Sequence, residues 1–519
     1  MKTWAAQGYD AMRRTFVWRY PARLNMADQC LTGDPGGLAI IDMTEGRRDY
    51  SRAELAAMTD RLAHHLAPIV ARGDRVGVLR TQGAWTAAAH LAIWKLGAIS
   101  VPLFKLFGDE ALRLRLGDSG ARVVIADSEG QGMLAPFDVT AVVPEALDLP
   151  DRGPFPAADT GPEDPAVLIY TSGTTGAPKG ALHGHRMLTG HLPGVEMSHD
   201  RLGQPGDVIW TPADWAWIGG LFDVLMPGLA LGVPVVAARL PKFTPEAAQA
   251  VIAGSGANCI FFPPTALRLL KAADFACPGL RSVASGGEPL GAEMLAWGQR
   301  AFGLTINEFY GQTECNMVAS NAWTMFPPRP GSLGKAVPGF DIAVVDDAGQ
   351  PTAGEGDIAI RRGAGSMFLG YWNRPEATAD KFRGDWMVTG DRGVIEDGYI
   401  RFKGRDDDVI TSAGYRIGPG EIEDVLLKHP AVAAAGVIGK PDQMRTEIVK
   451  AYIVLRDGVQ PSDELARALI AHASDHCACH SAPREITFLD ALPMTVTGKV
   501  MRRELRKLAE AELQQGTNA

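Results

Sequence analysis

Tyr170-Thr171-Ser172-Gly173-Thr174-Thr175-Gly176-Ala177-Pro178-Lys179-Gly180 decides how this chain of 519 residues is read. The apolar run Val167-Leu168-Ile169 leads into it like a buried strand. A loop of small and hydroxyl residues follows, with one lysine near its end. It offers backbone N–H groups, the hydroxyls of Thr171, Ser172, Thr174 and Thr175, and a cation. Glycine lets the backbone come close to a ligand, and successive N–H groups form an anion-binding concavity. The expected ligand is a polyphosphate. The ordinary phosphate-loop pattern of Gly, four residues, then Gly-Lys-Ser/Thr is not met, because Gly173 and Gly176 are too close and Lys179 is followed by Gly180. Taken alone, such a stretch also reads as a flexible turn between elements.

Composition narrows the class. The chain is 46% hydrophobic and 21% charged, with a formal net charge of −9, ordinary for a globular protein. No Lys/Arg block suggests nucleic acid, and Arg502-Arg503 is too short to count as one. Six cysteines in this length do not make a disulfide framework. His476-Cys477-Ala478-Cys479-His480 has metal-like residues but no second ligand pair at zinc spacing. No run of eighteen apolar residues predicts a membrane span, and the N-terminus lacks a signal-peptide pattern. A cytoplasmic protein is expected.

Short apolar runs alternate with helical patterns over the first four hundred residues. Arg75–Leu79, Arg122–Ala126, Val233–Ala237 and Cys259–Phe262 read as strands of βα units. Residues 151–165, rich in Pro, Gly and Asp, read as a link between subdomains. Beyond Gly404-Arg405-Asp406-Asp407-Asp408, which reads alone as a solvated acidic loop, the texture changes. Ile422, Val425 and Leu426 have helical spacing before Pro430, and Val432–Ile438 and Ile448–Leu455 read as strands. The expected fold is α/β: a large domain of parallel and mixed sheets flanked by helices over residues 1–406, then a small mobile α+β domain over 407–519.

Further patterns follow in order. Gly286-Gly287-Glu288-Pro289 ends a strand-like run, where an open α/β sheet leaves room for a ligand. Asn307-Glu308-Phe309-Tyr310-Gly311-Gln312-Thr313-Glu314 supplies aromatic rings, a hydroxyl and a carboxylate able to hold Mg²⁺. Thr389-Gly390-Asp391, Gly404-Arg405, Gly414-Tyr415-Arg416-Ile417 and Pro493–Arg503 complete the series. Together with the opening loop, these motifs resemble the adenylate-forming superfamily, and within it the short- and medium-chain acyl-CoA synthetases. The resemblance covers at least residues 167–506.

The resemblance implies an ATP-dependent ligase that joins a carboxylic acid to coenzyme A through an acyl-adenylate. A stand-alone enzyme loading a carrier-protein thiol is the alternative. The implied phosphate binders are Thr171, Ser172, Gly173, Thr174, Thr175, Gly176 and Lys179. Gly287, Glu288, Pro289, Glu308, Phe309 and Tyr310 would surround adenine. Thr313 would meet the α-phosphate, Glu314 the Mg²⁺, Asp391 and Arg405 the ribose, and Arg416 the phosphate. Lys499 would be the catalytic lysine of the first step, with Thr174, Lys179 and Glu314 beside it. Asp407 would be the hinge, and Gly414 and Tyr415 would turn to the coenzyme A channel. The implied partners are the acid, ATP and coenzyme A, with no nucleic acid or membrane, in a chain that works alone or as a homodimer.

The acyl pocket is expected at Trp217, Gly219, Gly286 and Gly311. Acetyl-CoA synthetases resemble this chain but carry tryptophan, valine and threonine where Gly311, Gly286 and Gly219 stand. Three glycines there predict room for a larger acid, of three to eight carbons. Each added methylene is worth about 1 kcal/mol, which predicts broad chain-length preference. By the same argument, Gly311→Trp is expected to shift preference toward acetate. Trp215 and Trp217 read equally as pocket lining or core.

Overall fold

The Val167–Ile169 run lies within the buried strand Pro165–Tyr170. In the computed structural model the described residues are 8–171, 178–405, 408, 410–412, 415–442, 446–476, 482–495 and 499–517. The next strand is Gly180–Gly184, antiparallel to the first, with Tyr170 opposite Gly180 and Val167 opposite His183. Thr171 N–H donates to the Lys179 carbonyl at 2.9 Å across the neck. The segment 171–179 therefore joins two strands of a hairpin. An ordinary P-loop leads from strand to helix.

That hairpin belongs to a seven-stranded sheet whose other strands include Arg75–Leu79, Ile99–Pro102, Val123–Ala126 and Thr140–Val142, all parallel. The helix Ala84–Lys95 is buried on nearly every side, as a helix with apolar residues all round must be, its His90 and Lys95 included. Its Trp94 Nε1–H donates to the Ala166 carbonyl at 2.9 Å. The core around it reaches Ile40, Phe222 and Phe309, which come from or pack beside the second large sheet.

The second sheet has fourteen strands. Its parallel half contains Leu38–Asp42, Val235–Ala237, Ile209–Trp210, Cys259–Phe261, Ser282–Gly286 and Asn307–Gln312. It turns antiparallel at Cys315–Ser320 and continues to Trp386–Glu396 and Tyr399–Arg405. The strand read at 233–237 begins only at Val235, because Pro234 has no N–H to donate to a ladder.

Beyond residue 410 lies a five-stranded sheet. Val432–Asp442 and Thr446–Leu455 pair antiparallel, and Glu485–Phe488 runs parallel to the latter. The helix Pro419–Leu427 buries Ile422 and Leu426 on this sheet, and the helix Asp463–His476 adds Leu469. The reading of the acidic run as a solvated loop needs correction at Asp408. Its carboxylate is buried and accepts from Arg502 at 3.2 Å and Arg506 at 3.1 Å. Arg502 also grips Glu423 at 2.6 Å. The chain leaving the large domain is thereby tied to the last helix, Arg502–Thr517. No helix among the described residues is long and apolar enough to cross a membrane.

Candidate active site

Two hairpins, one from each large sheet, meet at their tips. The second is formed by Asn307–Gln312 and Cys315–Ser320, which pair with Gln312 opposite Cys315. Thr313 and Glu314 are thus the two residues of a tight turn. The segment 368–372 joins the tips. Phe368 N–H donates to the Glu314 carbonyl, Leu369 N–H to Leu182 and Trp372 N–H to Gly180, each at 2.7 Å. Tyr371 completes the link: its hydroxyl donates to the buried Glu314 carboxylate, and Lys179 Nζ stands 5.2 Å from its ring centre. Burial and the Glu314 charge push the Tyr371 phenol upward, so it remains a donor.

This corner combines a cation, a backbone loop and a hard carboxylate oxygen. Mg²⁺ bound with a nucleotide takes one or two carboxylates plus phosphate oxygens. Glu314 fits that demand: its carboxylate is held in place by one phenol, whose ring Lys179 approaches. Ser172, Gly173, Thr174, Thr175 and Gly176 of the loop lie outside the described residues, as do Asp407 and Gly414 and Cys477–His480 of the metal-like cluster. The side chains of Arg405, Tyr415 and Arg416 are likewise outside them.

One strand back from the Glu314 turn, Tyr310 O–H donates to Asp391. Gln312 Nε2 reaches the Thr389 carbonyl at 2.9 Å, and Lys381 Nζ holds the Gln312 amide oxygen at 3.2 Å and the Val388 carbonyl at 3.2 Å. Thr389-Gly390-Asp391 is not a free turn. It lies within the strand Trp386–Glu396, where Gly390 takes φ +81°, and Asp391 stands opposite Arg405. The aromatic ring expected for a purine and the carboxylate expected for a ribose are therefore bonded neighbours. Gln312, Tyr371 and Lys381 had no assigned role in the sequence. Gln312 stands inside a motif, but only the fold brings Tyr371 and Lys381 to it.

Gly287 leaves the strand Ser282–Gly286 at φ +103°, a conformation that favours glycine. Glu288 pairs with Arg268 at 2.7 Å. Glu308 points beneath this loop, where its carboxyl accepts the Leu290 N–H. Burial, aided by Asp424, raises its pKa to about 8. Glu308 thus positions the Gly-Gly-Glu-Pro loop from inside. The Phe309 ring packs on Phe261, with centres 5.2 Å apart, and faces the core. Lys499 is exposed, with its backbone pinned by Thr495 Oγ1 at 3.0 Å.

The three glycines expected to widen an acyl pocket do converge, but the space beside each is filled. A Cβ at Gly286 would fall 2.6 Å from Phe309 Cδ2, and one at Gly311 would fall 2.9 Å from Asn316 Cα. At Gly219 it would lie 3.1 Å from the Phe261 ring and 3.6 Å from Asp223 Oδ2. Phe309, Asn316 and Phe261 are thus the side chains that stand against the three glycines. Trp215 is fully buried core, whereas Trp217 is half-buried and meets Phe104 edge-on, 6.2 Å between centres.

The family described as AMP-binding enzyme matches residues 28–372, and the AMP-binding enzyme C-terminal domain matches residues 421–499. Among curated relatives, the chain is 36% identical to acetyl-coenzyme A synthetase of Bacillus subtilis over 89% of this chain and 86% of that one. It is 34% identical to the mitochondrial acyl-coenzyme A synthetase ACSM2 of Rattus norvegicus, over 84% of this chain and 80% of that one. Among solved structures, ATP-bound MatB from Rhodopseudomonas palustris superposes with a TM-score of 0.83 at 28% identity, covering 94% of this chain and 99% of that one.

Proposed function

The chain belongs to the AMP-binding enzyme family and is an acyl-CoA synthetase that works through an acyl-adenylate, and from that premise we propose which residues run the reaction and what acid it takes. ATP and coenzyme A are its co-substrates; the acid is a short- to medium-chain carboxylate. The observation that carries the assignment is the pair of hairpin tips joined through Lys179, Tyr371 and Glu314, with the Tyr310–Asp391 pair beside them.

In the first step a carboxylate oxygen attacks the α-phosphorus and pyrophosphate leaves. In the second, the thiolate of coenzyme A attacks the acyl carbon and AMP leaves. The first step brings together two anions, so positioning and charge neutralisation are the main tasks. The loop 171–179 and Lys179 cradle the leaving pyrophosphate half. Thr313 donates to the α-phosphate. Asp391 accepts from the ribose hydroxyls while Tyr310, bonded to it, covers the adenine. Glu314 would hold Mg²⁺ together with the phosphates, and the ion would supply positive charge to the phosphoryl oxygens. Lys499 bridges carboxylate and phosphate, arriving on a small domain that spans 407–519 and turns about Asp407 between the steps.

The test separates the steps. Lys499→Ala should slow pyrophosphate release by roughly 10²–10³, about 3–4 kcal/mol, as for removal of one oxyanion donor. Thioester formation from supplied acyl-adenylate should persist. An equal loss in both half-reactions would refute the role of Lys499. A cytoplasmic location and a homodimer complete the proposal, the latter checked by light scattering on the purified chain.

A further inference from the structure

Asp118 has no part in the reaction described above, yet it ties together both stalks of the loop read as the pyrophosphate cradle. It lies near the end of the helix Asp109–Ser119. Its Oδ2 accepts from the Tyr170 hydroxyl at 2.8 Å, and Tyr170 ends the strand that enters the loop. Its backbone carbonyl accepts from Trp372 Nε1–H at 3.1 Å. The Trp372 backbone N–H in turn donates to the Gly180 carbonyl at 2.7 Å, and Gly180 begins the strand that leaves the loop. Tyr170 and Gly180 stand opposite each other in the ladder. Tyr170, Asp118, Trp372 and Gly180 therefore close a ring at the neck of the loop.

The same helix grips Tyr170 a second time. Arg115 lies three residues before Asp118 and so on the same face. It is buried, and its guanidinium stands 5.8 Å from the Tyr170 ring centre, within reach of a cation–π contact. Tyr170 is thus held at its ring by Arg115 and at its tip by Asp118. Burial and the Asp118 carboxylate push the phenol upward, so the hydroxyl stays a donor. Asp118 Oδ1 also meets Arg374 at 3.3 Å, but that arginine is 48% exposed and such a pair adds little. Trp372 follows Tyr371, whose hydroxyl holds Glu314. A shift at Asp118 would therefore reach the loop neck and the Glu314 corner together.

We infer that Asp118 is a positioning residue for the first half-reaction: it fixes the neck of the loop 171–179, and with it Lys179, against Tyr371 and Glu314. This rests on the reading of that loop as the pyrophosphate cradle. Displacing a positioning element by about 1 Å can cost about a hundredfold in rate. The cost falls on the step in which pyrophosphate leaves. The second step starts from an acyl-adenylate, which has no β- or γ-phosphate for the loop to hold, and is spared.

Pyrophosphate release with ATP, Mg²⁺ and carboxylic acids of graded chain length would be measured beside thioester formation from supplied acyl-adenylate and coenzyme A. Tyr170→Phe removes only the hydroxyl and keeps the ring beside Arg115. It should lower kcat/KM for ATP by about ten- to a hundredfold, the range for losing a hydrogen bond to a charged group, and leave the thioester step unchanged. Asp118→Ala should do the same, and Asp118→Asn, which keeps an acceptor for the phenol, should recover most of the loss. Tyr170→Phe combined with Asp118→Ala should be no worse than Asp118→Ala alone, because both break one bond. Equal losses in the two half-reactions, or losses that add in the double variant, would mark a merely structural contact and overturn the inference. Lys179→Ala separates the inference from the reading beneath it. If Lys179→Ala slows pyrophosphate release and Tyr170→Phe does not, the inference alone fails. If neither does, the loop is not the cradle and both fail.

Discussion

Glu308 should make the stability of this protein fall as pH rises. Its carboxyl is buried under the Gly286–Pro289 loop, accepts the Leu290 N–H, and has its pKa raised from an ordinary 4.5 to about 8. Between those two values the native chain holds a proton that the unfolded chain releases. Its contribution to stability is complete below the unfolded value and is lost as pH rises through the folded one. The slope is about 1.4 kcal/mol per pH unit, so between pH 5 and 7.5 stability should drop by roughly 3 kcal/mol from this group. That is a large share of a typical net stability of about 5–15 kcal/mol. Glu308→Gln keeps an acceptor for Leu290 and removes the titration. Urea unfolding followed by tryptophan fluorescence at pH 5, 6, 7 and 8 should show the steeper decline only in the wild type. Asp424, on the helix Pro419–Leu427, adds to the upward shift, so Asp424→Asn should move the end of the decline to lower pH. Parallel pH profiles for wild type and Glu308→Gln would show that the native state does not hold this proton, and the account of the loop would fail.

Tyr310→Phe removes the donor to Asp391; a hydrogen bond to a charged group is worth about 1.5–3 kcal/mol, so KM for ATP should rise at least tenfold while kcat changes less, measured by pyrophosphate release. Gly311→Ala should cost about 1–3 kcal/mol by overpacking against Asn316, read as a lowered Tm; an unchanged Tm would mean that the space beside Gly311 is open. Gly311→Trp, for the same reason, should unfold or repack the hairpin before it shortens the acyl pocket, so a clean switch to acetate would contradict the packing described here. Arg502→Met removes the cation of Glu423 and one of the two arginines on the buried Asp408, a loss of about 3 kcal/mol at the low end for a broken buried pair, and should expose the segment after residue 405 to limited proteolysis.

Much of the large domain was legible because its information is local. Apolar runs such as Arg75–Leu79 and Val123–Ala126 became parallel strands, and Ile422, Val425 and Leu426 became one face of a helix on the small sheet. Strand ends were less legible where a residue such as Pro234 withdraws a donor. The loop after Ile169 announced an anion by its own residues. It did not announce that the next element was an antiparallel strand, because the pairing of Tyr170 with Gly180 depends on hydrogen bonds made beyond the loop.

The sequence by itself pointed to the reaction type through resemblance, since Lys179, Tyr310, Glu314, Asp391 and Lys499 each stand in a motif that, in this order along the chain, resembles the adenylate-forming superfamily. The tertiary structure alone decided what surrounds them. It brought Tyr371 to Glu314 and Lys381 to Gln312, it buried Asp408 under two arginines, and it put Phe309, Asn316 and Phe261 beside the glycines at 286, 311 and 219. A glycine in a sequence states only that a side chain is missing. Which side chain stands beside it depends on which distant residue the fold carries there, and that is set by long-range packing rather than by neighbours in the chain.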